Sequence, residues 1–197
     1  MRIAIIASGP SAKKFRHRPG IVTIAVNGAI DWLDHADYFF TLDLSPENIT
    51  RCLNQKPGTI YCAAVDEDKN APPKVVKYIR VSHRGPEPKR KNSPAWWLWR
   101  WSGVPGLQTR PGYISTGNSA YGALNLAYHM GAYKIALFGV DGSEDERCEG
   151  GYSRNLSHLP LLFGSAAHQV NAVNCGQLKC PIPTMSPADG IKWLVDD

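Results

Sequence analysis

Seven strand-like runs, most of them apolar, constrain this chain more than any other feature. They are 2–8 (RIAIIAS), 21–26 (IVTIAV), 37–43 (DYFFTLD), 59–65 (TIYCAAV), 77–82 (KYIRVS), 134–140 (KIALFGV) and 170–175 (VNAVNC). Runs that are apolar without alternation mark strands covered on both faces, as in a parallel sheet. Helix patterns lie between them. Ser45 with Pro46, and Ser186 with Pro187, have the form of a cap followed by proline in the first turn. A longer helix is predicted from about Gly117 to Met130. Strands alternating with short helices predict an α/β fold: a single Rossmann-like domain over 1–197, its mostly parallel sheet flanked by helices on both faces.

Such sheets bind ligands beyond the carboxyl ends of their strands, where strand order reverses. The strand ends therefore define where a site would be. After the first strand, Gly9 and Ser11 precede a predicted helix, and small residues at a helix start suit a phosphate group. Asn27 ends the second strand; its amide can read a base or ribose, or cap the helix that follows. Asp43 and Asp141 end two more strands and are open to a metal, a hydroxyl or a turn. Ser115, Thr116, Gly117, Asn118 and Ser119 form the densest group of small polar residues, at the mouth of the long helix. Capping requires one such residue, so this run points to phosphate or ribose binding. No GxGxxG and no GK[ST] motif occurs.

His158 follows a Gly-rich polar loop that starts beside Asp141, which makes it the candidate general base. Tyr152 and Arg154 in the same loop are candidates for holding substrate or for a lid. The five cysteines are odd in number and lack CxxC spacing, so neither a disulfide framework nor a structural zinc site is expected. Cys148, in a polar loop, is open as a reactive thiol with no evident base.

Residues 69–113 carry ten Lys or Arg against Glu87 alone, leaving the rest of the chain at −4 out of a total of +5. That block calls for an anionic partner. Within it, 83–113 is a basic insertion or lid in which Trp96, Trp97, Trp99 and Trp101 crowd together without a clear period. It reads as a lid, a binding loop, an oligomer contact, or a short aromatic helix on the sheet edge. Arginine between tryptophans also suits stacking on bases, so a nucleic acid or other anionic acceptor is an open partner. No stretch approaches the roughly 20 apolar residues of a membrane span. The apolar centre at the start is short for a signal peptide, and a cytoplasmic location is expected.

Taken together, GPS after the first strand, Asn after the second, S-T-G-N-S-A-Y at a helix start and a strand ending G-V-D resemble the bacterial sialyltransferases. They equally resemble the Rossmann-like group that includes 6-hydroxymethylpterin pyrophosphokinase. The resemblance covers about two thirds of the chain and omits roughly 44–113. It implies a small bacteriophage-type member acting in a host cytoplasm. It further implies that Gly9, Ser11, Asn27, Ser115, Thr116 and Gly117 surround a nucleotide or nucleotide-sugar, with Tyr152 and a base, His158, on the segment after G-V-D. That segment, 142–160, is much shorter than a sialyltransferase lid. The pterin enzymes imply ATP with magnesium, through Asp43 or Asp141, although no carboxylate cluster is evident. The expectation is a nucleotide-binding, glycosyltransferase-like transferase. A nucleotide-capturing protein without catalysis, and a nucleic-acid-binding protein acting through 83–113, stand beside it.

Overall fold

In the computed structural model, which describes residues 1–83 and 85–196, the expected strands form one sheet. Arg84 of the basic block lies outside the described residues. The strands are β1 (Arg2–Ile6), β2 (Val22–Val26), β3 (Tyr38–Thr41), β4 (Ile60–Val65), β5 (Val76–Val81), β6 (Tyr113–Ser115), β7 (Lys134–Phe138) and β8 (Ala172–Asn174). The helices are α1 (Ala29–Trp32), α2 (Pro46–Leu53), α3 (Pro94–Arg100), α4 (Ser119–His129), α5 (Leu159–Ala166) and α6 (Pro187–Val195).

Every strand pair is parallel, in the order β6-β5-β4-β3-β2-β1-β7-β8. The chain winds outward from β1 to β6, returns through α4, and lays β7 against the other side of β1. Strand order thus reverses between β1 and β7, where Ile5 pairs with Leu137. Burial explains why these segments read as unbroken apolar runs: β1, β2 and β7 are closed to water on both faces. Side chains alternate across β1. Ile3 and Ile5 join a core with α4 and α5, whereas Ala4 and Ile6 join a second core with α1, α2 and α6.

The helix α4 is central, and its residues from Ala120 to Ala127 are all buried. Each fully buried leucine there contributes about 1.5–3 kcal/mol. Two features hold it close to the sheet. A Cβ on Gly122 would lie 2.7 Å from the Phe40 ring, so glycine lets α4 approach β3. The buried Asn125 carboxamide accepts the amides of Gln108 (2.9 Å) and Ser115 (3.0 Å), tying β6 and its preceding loop to the helix. This packing fixes the amino end of α4 beyond the carboxyl ends of the strands.

Two expectations are corrected. The turn after β1 is a five-residue 3-10 segment, Pro10–Lys14, rather than an α-helix. Ser115 belongs to β6, a short strand that local sequence does not mark, and the cap of α4 is Asn118. Its Oδ1 accepts the amides of Ala120 (2.9 Å) and Tyr121 (3.3 Å). Of the readings open for 83–113, the structure shows a short aromatic helix: Ser93 and Pro94 start α3, and the Ser93 hydroxyl accepts the Trp96 amide at 3.2 Å.

Candidate functional site

A crevice runs along the carboxyl ends of the strands, in three chambers that share Asn118 and Ser119. The first, of about 130 Å³, lies at the β1/β7 reversal between Ala7–Pro10 and Gly139–Ser143. The second, of about 370 Å³, opens toward β5 and α3. The third, of about 470 Å³, connects them beneath the segment 152–158. The location is the one the strand ends pointed to. The contacts within it differ from expectation.

The turn after β1 is not an open phosphate cradle. The Gly9 amide donates to the Gly139 carbonyl (3.0 Å), and the Ser11 amide donates to Asp141 Oδ2 (3.0 Å). The Ser11 hydroxyl accepts the Gly139 amide at 3.1 Å. Asp141, only 7% exposed, also accepts the Gln177 amide through Oδ1 at 2.9 Å. Its carboxylate therefore occupies the anion position itself and joins the turns after β1, β7 and β8. A Cβ on Gly9 would lie 2.3 Å from Asp141 Oδ2, which accounts for the glycine. Gly9 and Asp141 still line the first chamber, but as structure.

Ser115 and Thr116 are likewise structural. The Ser115 side chain is fully buried, donates to the Gly106 carbonyl at 2.7 Å, and accepts from Gln108. The Thr116 hydroxyl reaches the carbonyls of Val81 and Ser102, clamping β5 to the loop after α3. Gly117, at φ +123°, turns the chain into α4. The amides of Gly117 and Asn118 have no hydrogen-bond partner among the described residues. They stand at the amino end of an 11-residue helix, which carries partial positive charge.

Asn27 lines the first and third chambers with φ +51°, a left-handed conformation that asparagine tolerates better than most residues. Its side chain does not cap α1. Instead its Oδ1 lies 3.3 Å from Asn48 Nδ2, leaving the Asn27 amide group for the crevice. Asn48, buried on α2, also reaches the Asp43 carbonyl (2.8 Å) and the Thr41 hydroxyl (3.2 Å). It fixes the ends of β2 and β3 together. Sequence reasoning missed Asn48, and nothing local identifies it. Asp43 is exposed and lines the second and third chambers.

The segment after β7 folds back along the crevice. Glu146 and Tyr152 form an antiparallel bridge, and Gly150 and Gly151 take positive φ at the turn. The Cys148 amide donates to the Ser8 carbonyl at 2.8 Å, and the Glu149 side chain packs directly on Gly28. Burial pushes the Cys148 thiol up, which opposes the reactive-thiol reading. Tyr152 and Arg154 line the third chamber, as does Arg147, which sequence reasoning passed over. None of Arg100, Arg147 and Arg154 forms an ion pair among the described residues. Trp101 lines the second and third chambers, so the tryptophan segment abuts the crevice.

His158 also lines the third chamber but is 1% exposed. One ring nitrogen, Nε2, lies 3.0 Å from the Gly117 carbonyl; the other, Nδ1, is buried without a partner. Burial holds the imidazole below its ordinary pKa, with the Gly117 carbonyl acting in the opposite direction. The neutral ring donates from Nε2 and braces the first turns of α4 and α5 against each other. Among the described residues no group of three His, Cys, Asp or Glu side chains is placed to hold a metal ion. Among the described residues no helix is long and apolar enough to cross a membrane.

Comparison with protein-family models, with curated proteins and with solved structures finds no match for this chain.

Proposed function

We propose that the crevice binds a nucleotide or nucleotide-sugar, with phosphate at the amino end of α4 rather than at the Gly9 turn. One observation carries this reading. The partnerless amides of Gly117 and Asn118 and the unpaired guanidinium groups of Arg147 and Arg154 line one chamber beside the strand reversal. Asn27 and Asn118 supply polar groups suited to ribose or base. On this reading the chain is a nucleotide-dependent transferase of the glycosyltransferase-like kind, and the arginines balance the charge of a departing phosphate.

The burial of His158 favours a second reading, capture of a nucleotide without turnover. A base with 1% exposure meets an acceptor hydroxyl only if the segment after β7 moves. Both readings need the same pocket.

A thermal-shift panel of CMP, CDP, UDP, GDP, ADP, ATP and CMP-sugars, with and without magnesium, tests the shared claim. At one hundred times Kd a ligand adds about 2.7 kcal/mol, or about 5–11 °C for a chain of this size. Stabilisation by one nucleotide class is the expected result, and no shift with any compound removes the reading. Release of free nucleotide from the stabilising sugar donor then separates turnover from capture.

A further inference from the structure

The second chamber differs in chemistry from the rest of the crevice; of the groups proposed above to hold the nucleotide, it shares Gly117 and Asn118. Its wall carries two guanidinium groups in different states. Arg80 is held by Asp66 through Nε–Oδ1 (2.7 Å) and Nη2–Oδ2 (2.9 Å), which fixes the plane of the group. Its Nη1 has no hydrogen-bond partner among the described residues. Arg100, at the end of α3, has no ion pair among the described residues; its guanidinium carbon lies 5.8 Å from the Trp101 ring centre.

Trp101 is supported by Trp97, whose ring is stacked on it at 6.2 Å with 19° between planes. A supported indole bordering a cavity offers a platform for a ring. Next to it, Ser102 takes φ +53°, a left-handed conformation outside glycine that costs free energy. It is held there because its carbonyl accepts both the His83 amide (3.0 Å) and the Thr116 hydroxyl. Ser82 and Ser102 add hydroxyls to a polar lining that also includes Asp43, Thr116, Asn118 and Ser119. At about 370 Å³ the cavity is of small-ligand size.

We propose that this chamber is a second subsite that binds a ring-bearing phosphate monoester, the acceptor set beside the nucleotide. Two guanidinium groups and two hydroxyls suit a tetrahedral dianion, which presents more acceptor oxygens than a carboxylate. The ring of the same molecule lies against Trp101. Asp43 lines both this chamber and the third. It faces the boundary across which two bound ligands would meet. The acceptor role rests on the nucleotide reading; the binding chemistry of the chamber does not.

The test uses the full chain and 4-fluorophenyl phosphate, followed by fluorine NMR line broadening, in parallel with titration of the nucleotide found by thermal shift. The expected result is saturable broadening that persists with nucleotide bound. It should weaken at least tenfold in Arg100→Ala and stay unchanged in Arg147→Ala. Arg100 is exposed and unpaired, so its removal should leave the fold intact, which the melting temperature of the variant checks. Absence of broadening, no effect of Arg100→Ala, or displacement by the nucleotide overturns the second subsite and leaves the nucleotide reading in place. Binding of a 5′-phosphorylated oligonucleotide without binding of the small ester overturns it in favour of nucleic acid. Binding of the ester with no binding of any nucleotide overturns the acceptor role and, separately, the nucleotide reading.

Discussion

Replacing Asp141 with asparagine should destabilise the protein with no ligand present. The carboxylate is 7% exposed and accepts two backbone amides, Ser11 at 3.0 Å and Gln177 at 2.9 Å, through different oxygens. Asparagine keeps one acceptor oxygen and sets an NH₂ group against the other amide. One charged hydrogen bond becomes neutral and one buried donor loses its partner. Charged hydrogen bonds contribute about 1.5–3 kcal/mol each, and an unsatisfied buried group costs a similar amount, so the combined loss is about 3 kcal/mol. For a chain of this size that is about 6–12 °C in melting temperature. Urea unfolding at neutral pH, followed by tryptophan fluorescence, measures it directly. A residue kept for ligand binding behaves in the opposite way, since its removal often leaves the free protein unchanged or more stable. A loss under about 1 kcal/mol, or a gain, would refute the view of Asp141 as an internal substitute for a bound anion.

Gly122→Val should cost about 1–3 kcal/mol through overpacking, because its Cβ alone would lie 2.7 Å from Phe40; the same urea assay reads it. His158 gives a pH signature. Burial lowers its folded pKa below the ordinary value of about 6.5, so the unfolded chain takes up this proton at higher pH than the folded one. Its contribution is fully present above about pH 6.5 and is lost as pH falls through the folded value. Stability measured at about pH 7.5 and about pH 5 should therefore fall less in His158→Gln than in the parent. An equal fall in both would mean that the imidazole is not held neutral.

Much of the fold was legible because its signals are local. Strands buried on both faces must be apolar along their whole length, and the runs at 2–8, 21–26 and 134–140 contain β1, β2 and β7. The Ser-Pro pairs at 45–46 and 186–187 mark the starts of α2 and α6, and their Ser side chains do cap. The same signal at 93–94 marks the start of α3 and would have singled out the short aromatic helix among the readings of 83–113. β6 was not legible: it is three residues long, and its pairing of Tyr113 with Ile79 depends on the rest of the sheet.

The site was legible as a place and less so as a set of contacts. Strand ends and the α4 mouth located the crevice, and Asn27, Asp43, Gly117, Asn118, Tyr152 and Arg154 do line it. Whether a small polar residue faces a cavity or the interior depends on partners far along the chain. Ser11 and Asp141 are 130 residues apart, and Ser115 faces inward because β6 exists. Arg147 and Arg154 lie in the same loop, and only the turn at Gly150 and Gly151 brings both to one chamber.

The central claim is that phosphate binds at the amino end of α4 and not at the turn after β1. Calorimetric titration of the nucleotide found by thermal shift, against the parent, Arg147→Ala and Ser11→Ala, tests it most directly. Arg147→Ala should weaken binding at least tenfold, about 1.4 kcal/mol, and Ser11→Ala should leave Kd unchanged. Tight binding by Arg147→Ala together with a loss in Ser11→Ala would contradict it and return the phosphate to the Gly9 turn.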